Sequence, residues 1–283
     1  MVQERIKKDY KSIKLPNIFI EEDRGFFRCC EPILVLASST NDTWKNDITP
    51  VWQKLSSPSD VFEVTLLKCG EAVNYTAEIL NFVKDENAYY SEIHWKDVLA
   101  SDGIGHYSIQ ITSSIAGIEF NYTWGEYELK VYSNETAKGT ARLRAVFNSF
   151  QEIEGIDFTD SAVNGTIRFK GMFGFKNPNK QTDNLIYNNR QMKSVVRENL
   201  NTYELKTDPL KEYFLKEITD LYLLSENQLF ASDHNPHNNS YNYFDLPVTI
   251  EESDKIDYYE LSRYGKLSAV LTDRNKNKRT FFN

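Results

Sequence analysis

Asp233, His234 and His237 are the residues whose types come nearest to a metal site. Imidazoles and carboxylates hold zinc when three or four of them converge on one point. Here Asn235 and Pro236 intervene and Asn238, Asn239 and Ser240 follow, which is turn chemistry. No third histidine or carboxylate stands at ligand spacing, and His94 and His106 are isolated at the ends of expected strands. A glycosidase needs two acids facing each other across a substrate. Glu152, Glu154, Asp157 and Asp160 share one loop-like stretch, EIEGIDFTDS, where solvated loop acids are the expected reading. Walker loops, nucleophile elbows and dinucleotide fingerprints are missing, and Gly171-Met172-Phe173-Gly174 lacks the following helix and Lys-Ser/Thr, so it reads as a tight turn. The sequence thus presents no catalytic, metal-binding or cofactor-binding constellation, and a non-enzymatic role is expected.

The second kind of chemistry is recognition. Arg274, Lys276, Lys278 and Arg279 form the one basic cluster, with Arg263 and Lys266 upstream, and the chain closes on Phe281-Phe282. Two aromatics at a charged terminus suit a docking tail. An acidic counterpart is at hand in Glu21-Glu22-Asp23, so these nine residues (Glu21, Glu22, Asp23, Arg274, Lys276, Lys278, Arg279, Phe281 and Phe282) are the expected subunit interface. DNA phosphates are a second target for the basic tail. Of the four Trp residues, Trp124 lies in an alternating strand and reads as core, whereas Trp44, Trp52 and Trp95 lie near loops and are candidate sugar-stacking platforms.

The elements that position these residues are mostly strands. Phe26 to Leu36 reads as a strand with Pro32 marking an edge or bulge, and Thr40 to Ser59 as a long loop with a short helical turn. From there the period is two: residues 61–66, 75–83, 90–95, 107–112, 118–124 and 127–131 alternate apolar with polar, separated by turns, which predicts a β-sandwich. Beyond the small, polar ETAKGT, strands are expected at 142–147, 165–170, 185–197, 228–231, 244–250 and 265–272, with a turn at 198–202. One stretch, 208–225, has helical spacing: Leu210, Phe214, Ile218, Leu221 and Leu224 form an apolar stripe, with Asp208 as N-cap and Pro209 in the first turn. The expected organisation is an arm and edge region over 1–58, a β-sandwich domain over 59–137, and a β-rich α+β domain with a basic tail over 138–283. The fold class is mainly β with one prominent helix.

A chain of 283 residues with 17 Tyr and 17 Phe has the length and the apolar content to bury a core. The aromatics favour both strands and interfaces. A net charge of −8 argues against wholesale nucleic-acid coating. No apolar run is long enough to cross a bilayer, so no membrane anchor is expected, and the charged N-terminus has no secretory h-region. Cys29, Cys30 and Cys69 suit a reducing compartment.

The run VRENLNTYELKTDPLKEYFLKEITDLYLLSENQLFAS, then LPVTI and a closing DRNKNKRTFF, with ARLRAVFNSF and GIDFTDSAVNGTIRFKG upstream, resembles tail and ring (neck) proteins of crAss-like and related Bacteroidetes tailed phages. The resemblance covers about half the chain, from Arg142 onward, and brings no catalytic motif. It implies a virion structural protein, assembled in the host cytoplasm, that forms a homo-oligomeric ring around the DNA channel. Neighbouring tail or portal proteins would be its partners, with DNA in the channel as a further contact. The alternative from the residues alone is a β-sandwich carbohydrate- or receptor-binding module.

Overall fold

In a computed structural model the chain is described over residues 32–55, 61–115, 118–148, 152–153, 155–186, 192–225, 228–234, 243–259, 264–274 and 277–280. The fold is mainly β. The first part holds β1 (Ile33–Ala37), β2 (Ile48–Lys54), β3 (Phe62–Lys68), β4 (Glu71–Ala72), β5 (Leu80–Asn81), β6 (Ala88–His94), α1 (Trp95–Asp102), β7 (Gly105–Ile115) and β8 (Ile118–Val131). Five strands form one sheet in the order β1-β8-β7-β3-β4, and three form another in the order β2-β6-β5. The sole parallel pairing described here is β1 with β8. Both sheets and α1 feed one core: Val35 and Ile109 from the larger sheet, Val51 and Ile93 from the smaller, and Trp95 and Val98 from the helix.

The second part begins after a four-residue helix, α2 (Asn134–Ala137), whose capping box joins Ser133 and Thr136. It holds β9 (Thr140–Phe147), β10 (Glu152–Ile153), β11 (Ile156–Asp157), β12 (Val163–Ile186), β13 (Met192–Thr207), β14 (Leu210–Lys211), α3 (Glu212–Lys216), β15 (Leu229–Asp233), β16 (Tyr243–Tyr258), β17 (Tyr264–Asp273) and β18 (Asn277–Thr280). Antiparallel pairing runs β9-β12-β13-β17-β16-β15 and returns to β9, closing a six-stranded barrel. Closure removes the sheet edges that an open sheet would leave. Alternate residues of the strands enter its core: Leu143, Ala145 and Phe147 from β9, Ile167 and Phe169 from β12, Ala269 and Leu271 from β17. After Lys216 the α3 helix widens into a π-helix over Glu217–Leu223, and Phe214, Leu215, Ile218, Leu221 and Tyr222 join the same core.

Several expectations change against this fold. The expected loop 40–59 contains β2, where Val51 and Trp52 are fully buried, because β6 supplies hydrogen-bond partners for its whole length. The expected strand 75–83 is mostly irregular chain without a sheet partner among the described residues. Its period is real, since Val73, Tyr75, Ala77 and Ile79 pack on the core, but only Leu80–Asn81 finds a neighbour. The turn at 198–202 lies inside β13, and the turn at Gly125–Glu126 lies inside β8, where Gly125 takes φ +62 opposite a register shift in β7. The glycine-spaced stretch 171–174 continues β12 and does not turn. The stretch opening at Asp208 is not yet helical: Leu210–Lys211 pairs with β17, so Asp208 and Pro209 cap nothing and the helix begins at Glu212. Leu224, placed on the apolar stripe, is 55% exposed because the π-helix rotates the face away after Leu223. No described helix is long and apolar enough to cross a membrane.

Candidate functional site

Charged side chains from both parts of the chain meet in a buried cluster. In β9, Arg142 and Arg144 alternate with the core residues Ala141, Leu143 and Ala145, and β12 places Arg168 directly opposite Arg142. Two guanidiniums side by side repel unless a carboxylate joins them. Asp47, just ahead of β2, supplies it. Its Oδ1 accepts from Arg142 Nε at 2.7 Å and Arg168 Nη2 at 3.0 Å, and its Oδ2 from Arg168 Nε at 2.8 Å and the Leu36 amide at 2.8 Å. Asp47 and Arg142 are each 1% exposed. Burial alone would raise the Asp47 pKa, but the charges of Arg168 and Arg142 and their hydrogen bonds outweigh it and hold the carboxyl below its usual range.

Asp245 of β16 closes the other side. It accepts from Arg142 Nη1 at 2.9 Å, Arg144 Nε at 3.2 Å and Thr43 Oγ1 at 2.5 Å. Its backbone holds φ +46, a conformation that costs a non-glycine residue free energy, and the register shift opposite it in β15 lets its amide bond Ser232 Oγ. Arg142 Nη2 donates to the carbonyls of Thr43 and Asn46, both at 2.9 Å, and Arg168 Nη1 to Thr140 Oγ1 at 3.2 Å. Asp47 also ties β1 and α1 through its backbone, donating to Leu36 O and accepting from the Trp95 amide. A second set of contacts runs beside it: the Ile48 amide donates to Thr166 Oγ1, which donates back to Ile48 O, and the Asn164 amide donates to Glu92 at 2.6 Å. The cluster therefore clasps the first sheets onto the barrel. A carboxylate saturated by four donors is no general base.

A cavity of about 30 Å³ adjoins the cluster, lined among others by Asp47, Arg168, Thr49, Thr166, Phe214 and Glu217. That is room for about two waters. Glu217 opens the π-helix; the residue is part-exposed while its carboxyl is enclosed, and burial pushes its pKa up to about 8.

The residues singled out from sequence fall elsewhere. Asp233 and His234 are buried at the end of β15; burial raises Asp233 to about 7 and lowers His234, and no group of three metal-ligating side chains occurs among the described residues. His237 lies outside those residues. Glu152 pairs with Asp157 across the short β10–β11 hairpin, Asp157 is exposed and accepts from Thr159, and Asp160 meets Lys84 at 3.1 Å. Glu154 lies outside the described residues. Trp52 and Trp95 are fully buried, Trp95 donating to Thr49 Oγ1, so neither is a platform. Trp44 is half-buried between Tyr132 and Phe244, and the side chain of Trp124 lies outside the described part. Of the expected interface, Glu21, Glu22, Asp23, Lys276, Phe281 and Phe282 lie outside the described residues. Lys278 and Arg279 sit on β18, paired with Glu198 and Arg197 of β13. Arg274 turns onto the barrel: Nη2 donates to Leu229 O at 2.5 Å and its guanidinium lies 4.8 Å from the Phe230 ring.

The sequence did hold a trace of the cluster. Arginines at alternate positions of ARLRAVF, and Arg168 in TIRFK, mark one face of two strands, and such a face requires either water or acids. No spacing rule links them to Asp47 or Asp245. In comparison with known proteins, no family model matches the chain and no curated protein matches it in sequence.

Proposed function

We propose that this chain is a virion structural protein, a subunit of a tail or neck ring that joins layers of a tailed-phage particle around its DNA channel. The observation that supports it is the β12–β13 hairpin. β12 has 24 residues and β13 has 16, yet β9 pairs with β12 only over 163–170 and β17 with β13 only over 202–206. From Asn177 paired with Thr202 to Ile186 paired with Met192 the hairpin runs on past the barrel, with β18 beside β13 as its one further strand among the described residues. Two strands alone are marginally stable, so such an arm suits a protein whose neighbour supplies the missing surface. Ile186, close to its tip, is 71% exposed.

Subunits related by rotation would place each arm along the next, a heterologous contact that closes into a ring. The role is mechanical and uses the clasped sheets as a rigid body. The finer domain plan, a sandwich over 59–137 followed by the barrel, belongs to the same reading. Native mass measurement of the full chain tests it against a variant in which residues 178–201 are replaced by an Asn-Gly turn. The expected result is a closed oligomer for the full chain and a folded monomer for the variant. A full chain that remains monomeric at high concentration, or a variant that assembles as well, overturns the reading.

The alternative, a carbohydrate- or receptor-binding module, retains one observation: Trp44 stacks on Phe244 at 4.1 Å and Phe244 is 46% exposed. A glycan array on the full chain and on Phe244→Ala separates the two.

A further inference from the structure

The charges of the cluster do not balance. Arg142, Arg144, Arg168 and, beside them, Arg274 bring four positive charges against two negative ones from Asp47 and Asp245. The least compensated of the four are Arg144, which shares Asp245 with Arg142, and Arg274, which meets no carboxylate among the described residues. Arg144 is cross-strand partner to Phe230, and Phe230 is in turn partner to Pro247, whose carbonyl accepts the Arg274 amide. The guanidinium carbons of Arg144 and Arg274 stand 3.9 and 4.8 Å from the centroid of the same Phe230 ring. An aromatic face holds a guanidinium in place while its N–H groups point outward from the rim. Among the described residues Asp245 takes only Nε of Arg144 and leaves its terminal nitrogens, while Arg274 gives Nη2 to Leu229 O and its enclosed Nε meets no partner. Asp273, the carboxylate next in sequence, is turned away to Tyr203 and Asn201. Each arginine is disfavoured by burial, and Arg274 further by the charge of Arg144.

We infer that Arg144 and Arg274, set on Phe230, form an oxyanion site that takes a phosphate group. The terminal nitrogens of Arg144 and Nη1 of Arg274, beside one ring, can converge on the tetrahedral oxygens of a phosphate, while Nη2 of Arg274 is held by Leu229 O; the half-buried setting strengthens each charge-assisted bond. The phosphate could come free from solution or from a nucleic-acid backbone, since both present the same oxygens. The inference does not rest on the ring reading; a monomer would bind the same anion.

Thermal unfolding of the full chain in sodium phosphate and in sodium chloride, at matched ionic strength, tests it. Phosphate is expected to raise the midpoint by mass action, and Arg274→Gln to weaken the apparent affinity about tenfold. Arg274→Lys keeps the charge and loses the planar fork; it is expected to weaken binding severalfold, and it stands in if the Gln variant fails to fold. A labelled short DNA duplex, followed by anisotropy over a salt series, separates the sources. A backbone source gives duplex binding whose salt slope falls by about one on Arg274→Gln. A free-phosphate source gives the thermal response with no duplex binding. Equal midpoints in phosphate and chloride without duplex binding, or responses unchanged in both Arg274 variants, overturn the site.

Discussion

Replacing Asp47 by Asn keeps the side-chain volume and removes one negative charge from between two guanidiniums. In the folded protein that carboxylate receives three arginine N–H groups between 2.7 and 3.0 Å and one amide at 2.8 Å, with almost no surface left to water. Breaking one partner of a buried ion cluster costs about 3–5 kcal/mol, because the remaining charges stay buried and uncompensated. For a chain of this size the unfolding midpoint would drop by about 6–20 °C. Urea unfolding followed by circular dichroism reads the loss directly. The same logic gives a control in the opposite direction: Asp47→Leu with Arg142→Met and Arg168→Met removes the carboxylate with both guanidiniums that hold it, leaves Asp245 paired with Arg144 and Thr43, and should recover much of the stability, since burying charges is itself expensive. Acid adds a third arm. The folded-state pKa of Asp47 is depressed, so its contribution is intact above the unfolded carboxyl value of about 3.9 and is lost as pH falls through the lower folded value. The Asn variant should lack that acid-sensitive component. A D47N protein within about 1 kcal/mol of wild type at neutral pH would refute the clasp.

Three further outcomes are expected. Glu217, with its folded pKa raised to about 8, contributes stability that is present below the unfolded value of about 4.3 and is lost as pH rises through 8. Glu217→Gln should therefore match wild type near pH 4 and exceed it by up to about 5 kcal/mol at pH 9, read from denaturant midpoints across pH. Trp52→Ala should cost about 3–5 kcal/mol, while Trp52→Phe should cost less than about 1.5, since it keeps much of the ring packing on Phe147 and Phe158 and deletes an indole N–H that has no partner among the described residues; thermal unfolding compares the two. Gly171→Ala places a Cβ 2.4 Å from Lys206 O and 2.9 Å from Thr207 Cα, both backbone, at φ +153, so it should cost over about 2 kcal/mol. Gly139→Ala, with nothing within 4 Å, should cost only the strain of φ +71, about 1 kcal/mol.

The parts of the fold legible in the sequence are those where local pattern and tertiary pairing agree. In β7 and β9 the alternation of Ile109 and Ile111, or Leu143 and Ala145, marks the buried face correctly. Where pairing overrides pattern, sequence reasoning fails in both directions. Pro50 and Asp47 made 40–59 look like a loop, yet β6 and the arginines supply what those residues cannot satisfy locally. Tyr75 to Ile79 alternate well and pack on the core, yet no described strand pairs with their backbone. The helix was legible in its middle and not at its start, because β17 captures Leu210 and Lys211 as strand before the helical stripe can begin. Charge clusters are the hardest to see. Arg142 and Arg144 of β9 read as a solvated face until carboxylates 95 and 101 residues away, Asp47 and Asp245, cover them.

Distance along the chain gives the clasp a last consequence, in time. Thr43 and Asp245, which hydrogen-bond in the finished protein, are separated by 202 residues. A ribosome adding ~5–20 residues per second needs about 10–40 s to span that interval. Arg142 and Arg168 emerge early enough to meet Asp47, but until Asp245 follows, Thr43, Arg142 and Arg144 lack its carboxylate and the barrel against which the first sheets pack is still open. Nascent chains stalled before residue 245 should bind chaperones more strongly than chains released past it, and the handover marks the moment when the two halves of the translation product become one cooperative body.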